Sequence, residues 1–129
     1  MEAGSLIKPI PPRILAQTVT LSVCKSIDAW QEPTYENYDV SRVCLQPTNM
    51  TAKTKENTEV TLRSLLFVDA RLSAPALDWN ALQVESEKNG VPCVVSYTQG
   101  SAVMRYTVLD VDTLYDDRGN VHHYEVALV

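Results

Sequence analysis

The sequence predicts an all-β fold, a small barrel or sandwich of six to seven mostly antiparallel strands, and three observations predict it. Apolar and polar residues alternate with period two through several short runs, as on half-buried strands. Pro, Gly, Asn and Asp separate those runs at close intervals, the spacing of small antiparallel β domains. Sustained helical periodicity is missing, leaving room for a turn or two of helix. A long polar loop and a Pro-rich N-terminal arm complete the picture. The length of 129 residues corresponds to one domain, residues 14–129, with residues 1–13 as the arm.

The arm ends Lys8-Pro9-Ile10-Pro11-Pro12-Arg13. Three prolines in four positions fix φ and remove backbone donors, so the segment is extended and belongs to neither a helix nor a central strand. With Leu6, Ile7 and Ile10 it is also apolar, and such an arm is expected to dock on its own domain or on a neighbouring subunit. From Leu15, the residues Val19, Leu21 and Val23 share one strand face, with Gln17 the exception. Residues 28–37 are polar and hold Pro33, which reads as a loop. A second strand covers residues 40–46 and closes at Pro47.

Residues 48–59 are the longest polar stretch, without periodicity and with lysines at 53 and 55. A loop of that length in a compact domain is expected to be mobile and functional. A third strand covers residues 60–70, and its centre, Leu65-Leu66-Phe67-Val68, is apolar on both faces, as in a strand covered on both sides. Asp78 suits the cap of one short helical turn. Residues 82–87 and 91–97 flank Lys88-Asn89-Gly90, and Asn-Gly between alternating runs reads as a hairpin turn.

The final hairpin is the clearest element. Its two strands, residues 106–115 and 121–129, keep their apolar faces together if Val111 pairs with Val126 and Leu109 with Leu128. That register demands the four-residue loop Asp117-Arg118-Gly119-Asn120. It directs His122 to the apolar side and His123 outward beside Glu125. A hairpin completed at the last residue suits a compact assembly or binding module.

Composition narrows the function. A net charge of −5 argues against a general nucleic-acid binder, though it leaves room for a local basic loop. Neither a membrane-spanning run nor a signal peptide is evident, so cytosolic synthesis is expected. Cys24, Cys44 and Cys93 lack metal-ligand spacing and read as reduced core residues, with a Cys24–Cys44 bridge left open. Phosphate-loop, nucleophile-elbow and zinc-protease motifs are missing. No enzyme activity, metal or cofactor is therefore expected.

Three groups remain as candidate surfaces. His122-His123 point to opposite faces in regular β geometry, so they cannot jointly chelate an ion and are expected to be structural or interfacial. Asp112 falls opposite Glu125 with Asp110 on the same face, a like-charged stripe that calls for a basic partner or for solvent. Thr51, Lys53 and Lys55, in an otherwise acidic chain, offer a loop that can meet phosphates.

Several segments together carry a resemblance: Ile10-Pro11-Pro12-Arg13-Ile14-Leu15, Leu66-Phe67-Val68-Asp69-Ala70, Ser73-Ala74-Pro75 and, most specifically, His122-His123-Tyr124-Glu125-Val126. They resemble the minor capsid proteins of tailed phages and prophages of Gram-positive bacteria, among the head–tail joining proteins. The resemblance implies a structural, stopper-like virion protein, made in the host cytoplasm, that assembles as a ring between portal and tail. It implies a small β-barrel with a loop projecting into the channel, which would place Thr51, Lys53 and Lys55 near packaged DNA. The expected partners are other copies of the chain and the neighbouring adaptor, portal and tail proteins, with no membrane. The expected assembly interface comprises Ile7, Ile10, Asp110, Asp112, His123 and Glu125. The alternative is a monomeric β-barrel module for a peptide or carbohydrate, with Trp30, Trp79 or Tyr97 lining its groove.

Overall fold

In the computed structural model the described residues are 11–129. The expectations for Ile7 and Ile10 lie outside them. A short 3-10 helix (Pro12–Ile14) leads into β1 (Gln17–Ile27) and β2 (Pro33–Pro47). β3 (Thr51–Lys53) and β4 (Glu59–Thr61) pair only with each other. β5 (Ser64–Asp69), α1 (Trp79–Lys88), β6 (Val94–Gln99), β7 (Ala102–Tyr115) and β8 (Val121–Leu128) complete the chain.

Six strands close into an antiparallel barrel in the order β1-β2-β5-β8-β7-β6. The seam between β1 and β6 has three paired positions, Thr20–Ser96, Leu21–Val95 and Ser22–Val94. Closure removes the exposed edges that would otherwise invite further strands. Alternate side chains fill the interior: Val19, Leu21 and Val23 from β1, Leu66 and Val68 from β5, and Tyr124, Val126 and Leu128 from β8. Each such side chain withdrawn from water contributes roughly 1.5–3 kcal/mol before conformational entropy is counted. Gln17, the exception on β1, has a different task. Its Oε1 accepts the Leu45 N–H at 2.7 Å, beside a register shift where Arg42 takes a φ of 57°.

The β6 strand is short, with six residues against eleven in β1 and fourteen in β7. Beyond its reach, backbone groups of β1 and β7 need other partners. Helix α1 supplies them. Ser86 Oγ accepts from Cys24 N (2.9 Å), and Gln83 Nε2 donates to Val108 O (3.1 Å). Gln83 Oε1 accepts from Cys93 N (3.0 Å), and Asn89 Nδ2 donates to Cys24 O (3.0 Å). Trp79, buried at the start of the helix, joins the barrel core.

This helix corrects the expected strand at residues 82–87. Trp79, Gln83 and Ser86 are buried, and their spacing marks one helix face. Gln83 and Ser86 are polar because they bond backbone, so the face that packs carries little hydrophobic signal. Asp78 caps the helix by accepting the Ala81 N–H, but the helix runs ten residues rather than one turn. Asn89-Gly90 ends it rather than turning a hairpin: Asn89 is the C-cap and Gly90 takes a φ of 125°.

Two further boundaries move. Residues 33–37, expected in a loop, belong to β2, with Pro33 as its first residue, where a missing N–H is tolerated. Their polar character reflects exposure to solvent. The strand expected over residues 60–70 divides at Leu62 and Arg63 into β4 and β5, because Leu62 N bonds Met50 O at 2.8 Å while Arg63 N bonds Leu128 O at 2.8 Å.

The final hairpin keeps the expected Val111–Val126 and Asp112–Glu125 pairs. A bulge at Leu109 replaces the expected Leu109–Leu128 pair with Val108–Leu128. In the turn, Gly119 adopts a φ of 80°, its N–H bonds Asp116 O at 3.2 Å, and Asp116 Oδ1 accepts from Arg118 N and Asn120 N.

Candidate assembly surface

With Tyr124, Val126 and Leu128 pointing inward, the alternate residues of β8 form the outer wall of the barrel. The registers align one row across four strands: Cys44 on β2, Phe67 on β5, Glu125 on β8 and Asp112 on β7. Half of this row is apolar. Ile14, Cys44, Gln46, Phe67 and His123 line a groove of about 280 Å³. Ile14 is 45% exposed there.

The other half is acidic. Asp112 faces Glu125 directly, and Asp110 lies two residues along β7 opposite Ala127. The Asp112 carboxyl is held above its ordinary range, first by lost contact with water and then by repulsion from Asp110 and Glu125. His123 Nε2 lies 3.4 Å from Glu125 Oε1. The structure thus brings Asp110, Asp112, His123 and Glu125 onto one face, as the hairpin register anticipated.

His122 and His123 keep their alternation, His122 buried and His123 half-buried. Strict alternation misses one contact. Leu114 pairs with His123 and Tyr115 with Val121, so His122 is an extra residue in β8. A bulge re-aims side chains, and here the two Nδ1 atoms come within 2.8 Å, with the rings edge-on at 79°. Such a contact needs one Nδ1 protonated and the other accepting. Among the described residues, no cluster of three or more His, Cys, Asp or Glu side chains is placed to hold a metal.

Residues 48–59, expected as a structureless loop, contain most of an ordered hairpin, β3–β4. Its tip is held by Thr54 N–H to Thr58 O (2.9 Å) and Asn57 N–H to Thr54 O (2.9 Å), with Asn57 at a φ of 63°. Thr51, Lys53 and Lys55 are exposed. Lys55 Nζ lies 3.2 Å from Glu87 Oε2 on α1, a surface pair worth under about 1 kcal/mol. Lys53, Lys55, Glu87, Leu109 and Asp110 border one hollow of about 340 Å³, so the lysines stand beside the acidic stripe. The sequence showed no strand alternation here because the hairpin buries neither face deeply.

The aromatic residues of the alternative reading do not converge. Trp79 is in the core, Tyr97 borders a separate hollow with Met104 and Tyr106, and Trp30 stands 85% exposed. Trp30 occupies the β1–β2 turn, where Asp28 Oδ1 accepts from Trp30 N (2.8 Å) and Glu32 N (2.9 Å). The cysteines are free and buried; Cys24 pairs across the ladder with Tyr35 and Cys44 with Phe67, which leaves no Cys24–Cys44 bridge. No helix among the described residues is long and apolar enough to cross a membrane.

The model of a family described as "Minor capsid protein" matches residues 11–128, nearly the whole chain. The chain belongs to the minor capsid protein family. This minor capsid protein is therefore a structural component of a phage virion, associated with other virion proteins. No curated protein and no solved structure matches it. The apolar half of the outer wall was half-legible: the doubly apolar run 65–68 showed that β5 has two faces to cover, but Ile14 and Cys44 gave no sign that they would join Phe67 there.

Proposed function

We propose that this minor capsid protein is a head–tail joining component, a stopper-like subunit that assembles as a ring between the capsid portal and the tail. The observation that carries the reading is the lysine-bearing β3–β4 hairpin, a two-stranded sheet separate from the closed barrel. A barrel with no open edge associates through side chains on its wall and on appended elements, which suits stacked rings. On this reading Thr51, Lys53 and Lys55 line the channel and meet DNA phosphates without sequence preference. The stripe Asp110, Asp112 and Glu125 with His123 forms part of the contact with the next subunit or layer, where a basic surface offsets its repulsion. The neighbours are further copies of the chain and the adaptor, portal and tail proteins.

Deleting the gene in the phage tests the assignment. Separate tails and heads that lose their DNA are expected in the lysate, with infectivity restored when the protein is supplied in trans. Intact, infectious particles from the deletion would overturn it.

A further inference from the structure

Among the described residues, Trp30 in the β1–β2 turn is the most exposed large apolar side chain. The turn that presents it is fixed. Asp28 N–H donates to Glu32 O and Gln31 N–H to Asp28 O, both at 3.1 Å, while Asp28 Oδ1 accepts from Trp30 N and Glu32 N and Gln31 takes a φ of 65°. A ring held out by an ordered turn loses little freedom on meeting a partner, and tryptophan is favoured at the centres of interfaces. Asp28 and Glu32 flank the ring and residues 28–32 include no Lys or Arg, so this tip is acidic. The far end of the same strands has the opposite character. Gln17 begins β1, Pro47 ends β2, Ser64 begins β5 and Gln99 ends β6, and all four border one hollow of about 260 Å³ at the barrel's mouth. Tyr97, Met104 and Tyr106 give it apolar surface. Barrel mouths are frequent ligand seats, and roughly 150 Å³ already admits a benzene ring, so an indole fits. Among the described residues no carboxylate lines the hollow. Two exposed arginines stand beside it instead: the Arg63 guanidinium lies 4.6 Å from the centroid of the Tyr106 ring, and its Nη1 donates to Arg105 O at 3.2 Å.

We infer that Trp30 of one copy seats in the barrel mouth of the next, with Asp28 and Glu32 facing Arg63 and Arg105. The chain cannot fill its own mouth with this ring. The eleven residues of β1, Gln17–Ile27, separate the two sites, about 33 Å at ~3.3 Å per residue. The complementarity is between two surfaces of one molecule, apolar ring to apolar hollow and acid to base, which makes a second copy the fitting occupant. Two tips meeting each other would set acid against acid, so the charges select head-to-tail docking. Such a contact is heterologous, the kind that closes rings. The inference therefore deepens the ring reading and rests on it.

The test is nuclear magnetic resonance of the isotope-labelled full-length chain. As its concentration rises, the Trp30 indole N–H and the amides of Tyr97, Met104 and Tyr106 should shift together, and added salt should weaken the association. Trp30→Ala, at an exposed position that leaves the barrel intact, should self-associate at least about tenfold more weakly. Unlabelled native chain added to the labelled Trp30→Ala chain should move the mouth resonances and leave those of residues 28–32 in place, because that chain can only receive. A labelled Arg63→Glu chain should bind the native chain more weakly and a Glu32→Lys chain better than the native one. Three results would overturn the contact: no self-association at the highest soluble concentration, undiminished association of Trp30→Ala, or mouth resonances that answer to a duplex oligonucleotide and not to a second copy. Head–tail defects in the deletion phage beside normal particles from a Trp30→Ala phage would sink this contact alone. The contact in solution together with intact particles from the deletion would sink the ring reading and leave the contact standing.

Discussion

At the residue scale, Asp112 shows how a register becomes an electrostatic property. Its pairing with Glu125 follows from the alternation of β7 and β8, and that pairing, together with lost hydration, raises its proton affinity. A carboxyl that holds its proton more tightly in the folded protein loses folding stability as pH climbs from its unfolded value, about 4, through the raised folded value. Asp112→Asn should therefore melt roughly 1–3 °C higher at pH 7, allowing for solvent screening. The gain should vanish near pH 3, where both forms are uncharged; thermal melts across pH would show it, and a lower melting temperature at pH 7 would contradict it. Burial also pushes the Cys93 thiol up to about 11. Cys93 should resist thiol reagents at pH 8 until the protein unfolds, which mass spectrometry of labelled peptides would check.

At the element scale, α1 departs furthest from the strand expected over residues 82–87, for a physical reason. Its packing face depends on Gln83 and Ser86, polar residues that complete the backbone bonding of β1 and β7, while apolar Val84 is exposed. Hydrophobic periodicity measures apolar burial and cannot register a polar plug. Asn89-Gly90 is ambiguous in the same way, because that dipeptide suits both a hairpin turn and a helix stop. Gln83→Leu should cost about 2–4 kcal/mol by stranding Cys93 N–H and Val108 O, and Trp79→Ala about 3–5 kcal/mol. At Gly90, an added Cβ would stand 2.3 Å from Ile27 Cδ1 at a φ of 125°. Gly90→Ala should lose about 1–3 kcal/mol. Denaturant unfolding measures all three. The final hairpin was legible by contrast, because one buried face, a turn with Gly119 at positive φ and paired apolar residues all specify the same register.

At the scale of the whole molecule, closure was only partly legible. Strand alternation pointed to a small barrel or sandwich, and the choice between them depends on the β1–β6 pairing, a contact between residues more than seventy positions apart. No local pattern encodes such a pairing. The groove is hidden in the same way, since Cys44, Phe67 and His123 meet only when β2, β5 and β8, distant in sequence, lie side by side. What the sequence did carry was the family features in its last nine residues, and the family match over residues 11–128 agrees with them. The central claim is that this minor capsid protein occupies the head–tail junction. Gold-labelled antibody against the protein, bound to disrupted virions and viewed by electron microscopy, tests that claim most directly. The account expects label at one vertex of each head, at the root of the tail; label spread over the capsid shell or along the tail would contradict it.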